Sequence, residues 1–264
     1  MHYVIGDVHG CFDEMIALLK KIESNDLEAT FIFVGDFVDR GPQVIETLEW
    51  IKNNIKEDGK YQTVLGNHEA MLIDWHDSVI KSFRESHPEN ENIPDKELPL
   101  KKTDYFTTNF DFKETLSKNN LLKEDYIYDI IKLFEKWPLF KRVELGNEKW
   151  YIAHACVPFD HNVDEILKDC KNNYKEYYGY PEDFLWERIP DKINHPDESI
   201  ILVHGHTPTV IGNKSRIGEI HKSKNIYNID GGCVFGKLYP DEYKARLNAI
   251  CIETKEEFYI ECER

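Results

Sequence analysis

The chain has 264 residues, of which 41% are hydrophobic and 12% aromatic, enough apolar material for a packed interior and outside the range of a disordered chain. Its formal net charge of -16 repels a phosphate backbone, which excludes general nucleic-acid binding, although bound divalent cations would create a local positive site inside that negative field. The length suits one domain, and the periodic segments spread along it are expected to share one core over residues 1–264.

The first predicted strand is Tyr3-Val4-Ile5. Met1 leads straight into it, with no basic n-region or apolar h-region of a signal peptide, so a cytoplasmic protein is expected. Phe12, Met15, Ile16, Leu19 and Ile22 then recur at helical spacing before a second strand, Phe31-Ile32-Phe33-Val34. Pro42 can open a helix carrying Val44, Ile45, Leu48 and Ile51, which leads to a third strand, Thr63-Val64-Leu65. Strands alternating with helices are the signature of a sheet with parallel strands. From Arg84 to Asp104 the pattern gives way to a polar stretch with Pro88, Pro94 and Pro99, flanked by helical segments that run to about Trp137. It reads as an insertion or lid on the main core. Later strands are predicted at Trp150-Tyr151-Ile152-Ala153, Ile200-Ile201-Leu202-Val203, Tyr227-Asn228-Ile229, Leu247 to Ile252 and Phe258-Tyr259-Ile260. No run approaches the ~18 apolar residues that span a membrane, so no membrane partner is expected.

The unusual polar residues fall at the ends of these strands. Asp7 and His9 follow the first, Asp36 the second, Asn67 and His68 the third, His154 the next, and His204 and His206 the one after. In open α/β sheets ligands bind outside the carboxyl ends of the strands, so these side chains are expected to converge on one edge. Taken alone, Gly6-Asp7-Val8-His9-Gly10 is compatible with a simple turn. Gly35-Asp36-Phe37-Val38-Asp39-Arg40-Gly41 is harder to read that way, because two acids just past a buried strand are costly unless paired or metal-bound. Gly66-Asn67-His68-Glu69 and Gly205-His206-Thr207-Pro208 extend the series.

Mixed carboxylate, imidazole and amide donors without thiolates suit Mn²⁺, with Fe or Zn²⁺ as alternatives, better than Ca²⁺ or a structural zinc cage. A carboxylate can span two ions, and Asp36 is assigned that role, with Asp7 and His9 on one ion and Asn67, His154 and His206 on the other. Two ions ~3.5–4 Å apart can hold a bridging hydroxide for in-line attack on phosphorus. His204 sits two residues before His206 and is left out of the ligand set; His2, His76, His87, His161, His195 and His221 read as surface or structural residues. The six cysteines lack CxxC pairs and dense spacing and are expected to be reduced thiols, with Cys233 a small buried hydrophobe.

The motif series resembles the phosphoprotein phosphatase family of binuclear metallophosphoesterases, over nearly the whole chain. The resemblance implies an α/β fold: a metallophosphoesterase-type β-sandwich flanked by helices in αββα layers, with a mostly helical insertion around 76–137. It also implies Asp7, His9 and Asp36 on the first metal and Asp36, Asn67, His154 and His206 on the second. His68, oriented by Asp39, would protonate the leaving oxygen, while Arg40, Asn67 and Arg188 would face the substrate phosphate; Arg188 lies in Leu185-Trp186-Glu187-Arg188, which resembles the Trp-x-Arg segment of bacterial members. A positioned imidazolium and a planar guanidinium fork suit these two tasks on physical grounds.

Substrate choice stays open at this level. Leu65 stands where eukaryotic-type protein phosphatases carry arginine, as in dinucleoside tetraphosphate hydrolases, whereas Thr207-Pro208 resembles phage and bacterial protein phosphatases. The first reading is therefore a bacterial-type Ser/Thr protein phosphatase acting on phosphomonoesters. The alternative is a bis(5'-nucleosyl)-tetraphosphatase, and a remote one is an inactive metal-binding module. The insertion is expected to decide between substrates, with Tyr105 and Phe106 as candidates for a nucleotide-binding wall.

Overall fold

A computed structural model describes residues 1–100, 111–121, 124–158, 163–168, 172–175, 182–188, 195–212 and 215–262. In chain order the elements are β1 (His2–Ile5), α1 (Phe12–Glu23), β2 (Thr30–Phe33), α2 (Val44–Asn54), β3 (Tyr61–Thr63) and α3 (Asn67–Ser86). Next come α4 (Asp111–Lys118), α5 (Glu124–Phe134), β4 (Phe140–Leu145), β5 (Glu148–Ala153), α6 (Val163–Lys168) and α7 (Glu182–Leu185). The remainder is β6 (Ile200–His204), α8 (Thr209–Gly212), β7 (His221–Lys222), β8 (Ile226–Asn228), α9 (Cys233–Leu238), β9 (Arg246–Cys251) and β10 (Glu257–Glu261). No described helix is long and apolar enough to cross a membrane.

The strands form two mixed five-stranded sheets, ordered β10-β9-β1-β2-β3 and β4-β5-β6-β8-β7. In the first, β1, β2 and β3 run parallel, β9 lies antiparallel to β1, and β10 lies antiparallel to β9 at the edge. The second is parallel through β5, β6 and β8, with antiparallel β4 and β7 at its edges. Alternation along the strands explains why the sheets stack. Val4, Ile32, Trp150, Ile152, Ile201, Val203 and Ile250, drawn from both sheets, are buried in one apolar cluster. Their chain neighbours Tyr3, Ile5, Phe31, Phe33, Tyr151 and Leu202 belong to a larger cluster shared with α1, α2, α3 and α5. A period of two gives each strand two faces, one toward the opposite sheet and one toward helices.

Several boundaries differ from expectation. The third strand ends at Thr63, because the Leu65 N–H donates to the Pro138 carbonyl and leaves the ladder. Helix α2 starts at Val44, with Gln43 as its N-cap and Pro42 in the preceding turn. Asn67 and His68 open helix α3, which runs without a break into the region read as an insertion. Strand β4 has no counterpart among the predicted strands; its Phe140-Lys141-Arg142-Val143 stretch breaks apolar alternation with two consecutive charges and buries little besides Phe140.

The cysteines also depart from the reading as thiols. Cys233, at the start of α9, and Cys262, just after β10, are disulfide-bonded, with Cα atoms 5.4 Å apart. They are 29 positions apart in sequence, and only the pairing of β9 with β10 brings them together. Cys11, Cys156 and Cys251 are buried and take no part in that disulfide, and Cys170 lies outside the described residues.

Candidate metal centre

Parallel strands carry their carboxyl ends to a common edge, and both sheets contribute there. Asp7 and His9 follow β1, Asp36 follows β2, His154 follows β5 and His206 follows β6, while Asn67 and His68 form the first turn of α3. Three of these side chains, and two more from the loop after β2, hang from strained backbone: φ is +42° at His9, +51° at Asp36 and +67° at His206, and +66° at Asp39 and +67° at Arg40. Left-handed φ at a non-glycine residue costs of order 1–3 kcal/mol and persists only where the surroundings impose it, typically at functional sites.

Asp36 is the geometric centre. Its Oδ2 lies 3.4 Å from His9 Nε2, 3.5 Å from His154 Nε2 and 4.0 Å from His68 Nε2, and its Oδ1 accepts the His68 backbone N–H at 3.0 Å. Asp7 accepts the backbone N–H of His206 at 3.1 Å through Oδ2. A second group of atoms gathers beside Asp36: Asn67 Oδ1 is 2.7 Å from His154 Nε2 and 3.3 Å from His206 Nδ1, and those two nitrogens are 3.2 Å apart. The structure thus brings all six expected metal ligands together. His68 Nδ1 donates to Asp39 Oδ2 at 2.6 Å, leaving Nε2 directed into the site.

The donor set fits a divalent cation pair on three grounds. His9 and His154 each donate Nδ1–H to a backbone carbonyl, of Val38 at 2.8 Å and Val34 at 2.9 Å, which fixes the tautomer and turns Nε2 inward as a lone pair. The His154 lone pair faces the Asn67 carbonyl oxygen, a repulsion that a cation between them relieves. Burial also holds the imidazoles unprotonated, with His9 and His206 lowered to about 3 and His154 lowered as well. Metal binding requires that form. Finally, burial followed by repulsion from Asp230 and Asp36 raises Asp7 well above the carboxylate range, and burial above all pushes Asp230 to about 7. Asp36 goes the other way: burial opposes its charge, but His154, His68 and His9 outweigh it and hold the carboxyl low. Carboxylates crowded this closely without water need positive charge.

Arg40 supplies part of that charge. Its Nη1 donates to His9 Nε2 at 2.7 Å and its Nη2 to His68 Nε2 at 2.8 Å. One lone pair cannot serve both a guanidinium and an ion, so Arg40 must leave His9 Nε2 before an ion binds there. Arg188 is exposed across the cleft, with Nη1 3.5 Å from Thr207 Oγ1. His204 is buried and turned away, its Nδ1 3.0 Å from the Gly205 carbonyl.

Two functional carboxylates carried no assigned role in the sequence. Glu69 is fully buried and accepts the backbone N–H groups of Asp36 and Phe37 at 2.9 Å and of Val38 at 3.3 Å, so it shapes the loop that presents Asp36, Asp39 and Arg40. Its place directly after Asn67 and His68 was the available signal. Asp230, buried past β8, accepts the Gly232 N–H at 2.9 Å and repels Asp7.

The site opens into a cleft of about 520 Å³ lined by Asp36, Arg40, Asn67, His68, Arg188 and His206 on its polar side. Its apolar side is Met71, Trp186, Pro208, Ile211, Phe235, Leu238 and Tyr239. Among the described residues this wall comes from Met71 on α3, from Trp186, and from the segments around α8 and α9, and not from the region 76–137; Tyr105 and Phe106 lie outside the described residues.

A model of the calcineurin-like phosphoesterase family matches residues 3–236. Over 250 residues, covering 88% of this chain and 86% of its own, the bis(5'-nucleosyl)-tetraphosphatase PrpE [asymmetrical] of Bacillus subtilis is 29% identical. The symmetrical bis(5'-nucleosyl)-tetraphosphatase of Neisseria gonorrhoeae is 47% identical over 72 residues, a stretch that spans 27% of this chain and only 25% of that protein. Among solved structures, a protein serine/threonine phosphatase from Saccharomyces cerevisiae superposes with a TM-score of 0.57 at 14% identity, covering 100% of this chain and 79% of that one, which shows a shared fold. With the family model spanning most of its length and the motif residues gathered where the strand ends of both sheets meet, the chain belongs to the calcineurin-like phosphoesterases, a family of metal-dependent hydrolases.

Proposed function

We propose that this enzyme hydrolyses a nucleotide polyphosphate of the bis(5'-nucleosyl) type at the Asp36-centred site, with two divalent cations, Mn²⁺ first among them, as cofactors. One observation carries this preference over a phosphoprotein substrate. Trp186, Ile211, Leu238 and Tyr239 are 44%, 56%, 47% and 48% exposed, and all four line the cleft that holds Arg40 and Arg188. An apolar, partly aromatic wall beside two guanidinium groups suits a base and its phosphates, since stacking a base on an aromatic ring is worth about 1–3 kcal/mol. The names of the full-length relatives agree with this reading.

When bound, the cation pair supplies charge for the phosphate oxygens and activates the attacking water. The protein's own groups do the rest. With Arg40 already off His9 Nε2 once that nitrogen holds an ion, an incoming phosphate offers the guanidinium a better acceptor than the remaining imidazole and draws it off His68 Nε2. His68, freed at Nε2, takes up a proton there, held in place by Asp39. Burial lowers the pKa of His68, but Asp36 and Asp39 outweigh it and the net shift is upward, which favours the imidazolium. It then protonates the leaving oxygen.

The second reading, a Ser/Thr phosphoprotein phosphatase, is favoured by Pro208, which lines the cleft and belongs to the Thr207-Pro208 pair that resembles phage and bacterial protein phosphatases. Rates on diadenosine tetraphosphate and on a phosphothreonine peptide, measured with Mn²⁺, Zn²⁺ and Mg²⁺ in turn, separate the two. The expected kcat/KM ratio exceeds ~10² in favour of the nucleotide. Trp186→Ala is expected to raise its KM roughly tenfold while leaving p-nitrophenyl phosphate hydrolysis unchanged. Faster turnover of the peptide would reverse the order of the readings.

A further inference from the structure

Outside the Asp36 centre, a second cluster of ligating side chains is buried where α1, α9 and β10 meet. Cys11 Sγ, a carboxylate oxygen of Glu14 and Cys233 Sγ all lie within 4.8 Å of one another. Cys262, 3% exposed, adds a third sulfur through its bond to Cys233. Glu14 is 8% exposed and pairs with Lys237 through Oε1, while its Oε2 is buried without a hydrogen-bond partner among the described residues.

We propose that in the reduced protein Cys11, Glu14, Cys233 and Cys262 form a separate site for one soft divalent cation such as Zn²⁺. Three sulfurs and a carboxylate oxygen are the donor set of a closed tetrahedral zinc site, unlike the nitrogen and oxygen donors around Asp36. A tetrahedron with Zn–S bonds of about 2.3 Å places its sulfurs roughly 3.8 Å apart, so the donors of Cys11, Glu14 and Cys233, within 4.8 Å of one another, need close by only about an ångström, and Cys262, released from Cys233, supplies the fourth from beside them. The unpartnered Oε2 is the second indication, since a buried carboxylate oxygen without a donor calls for a cation or an added hydrogen bond.

In a reducing compartment the disulfide would be two thiols. A dithiol reductant gives up two electrons and two protons: the Cys233–Cys262 bond breaks, both sulfurs become thiols, and the reductant closes to its own disulfide. Each of the three thiols then releases its proton to solvent as its bond to the cation forms. Disulfide and cation exclude one another, because both use the sulfurs of Cys233 and Cys262. Either state ties down α9, whose Phe235 and Leu238 belong to the cleft wall.

Cobalt distinguishes the two metal sites, because only thiolate ligation gives a near-ultraviolet sulfur-to-cobalt charge-transfer band. The full-length protein, reduced with a phosphine and separately left oxidised, is titrated with Co²⁺ while absorbance and bound metal are followed. The reduced form is expected to bind one equivalent more per chain and to show the band, which Zn²⁺ then abolishes. Cys11→Ser, with its near-ultraviolet circular dichroism checked against the parent, should lose about a third of the band or all of it. The absence of a charge-transfer band in the reduced parent, which needs no substitution, would overturn the proposal, as would a band unchanged in Cys11→Ser.

Discussion

Replacing Asp39 with asparagine tests the assignment of His68 as the acid. The 2.6 Å contact between Asp39 Oδ2 and His68 Nδ1 is short and buried, and the carboxylate favours the charged imidazole. A hydrogen bond to a charged group is worth about 1.5–3 kcal/mol. At about 1.4 kcal/mol per pKa unit, losing it lowers the His68 pKa by roughly 1–2 units. The direction follows from the raised folded value: protonated His68 is present below that pKa and lost as pH rises through it, so in Asp39→Asn the rate begins to fall 1–2 units earlier. The assay is kcat against pH on two substrates, benzyl phosphate with a poor leaving group and p-nitrophenyl phosphate with a good one. Above the shifted pKa the variant should lose about 10²-fold on the first and little on the second, since only the first needs its leaving oxygen protonated. Equal losses on both substrates, or an unmoved basic limb, would refute His68 as the acid.

Three further outcomes follow from the geometry. A Cβ at Gly205 would overlap Asp7 Oδ1, so Gly205→Ala should displace that carboxylate, lower the metal content after dialysis and cost about 10² in rate; wild-type metal content would contradict the placement of Asp7. Saturating Mn²⁺ should raise the unfolding midpoint, by about 2.7 kcal/mol of stability at a hundredfold excess over Kd, and a chelator should reverse it, as differential scanning calorimetry will show. His204 stays neutral in the fold down to about pH 4, whereas in the unfolded chain it protonates near 6.5. Stability is thus flat above pH 6.5 and falls below it, by about 2 kcal/mol at pH 5 from this residue alone, so in urea titrations His204→Gln should lose that much less than the parent between pH 7.5 and 5.

Much of the centre was legible because its residues break a local rule. Asp7, Asp36, His154 and His206 are polar groups within three residues of the buried ends of strands, and such an interruption costs energy unless a ligand repays it. The short, wholly apolar runs Tyr3-Val4-Ile5 and Phe31-Ile32-Phe33-Val34, separated by a helical pattern, likewise identified the central strands. What stayed hidden depends on three-dimensional proximity. Glu69 matters through three backbone N–H groups 31 to 33 positions away. Cys233 and Cys262 meet only after β9 and β10 pair. Trp186, Ile211, Leu238 and Tyr239 are unremarkable as single exposed apolar residues, and they become a wall only when α8 and α9 fold beside Trp186. Strand β4 escaped because an edge strand with one face in solvent carries a weak apolar signal.

The two-sheet origin of the ligands has a mechanical consequence. Asp7, His9 and Asp36 hang from one sheet and His154 and His206 from the other, while the facing surfaces between them pack through apolar side chains such as Val4, Ile32 and Trp150. Contacts of that kind resist separation well but sliding poorly, because dispersion and hydrophobic burial have little directionality. Ions held jointly by both halves would act as a rivet against shear. Repacking the apolar seam, far from any substrate, should then register as a change in metal affinity before it registers as a loss of fold.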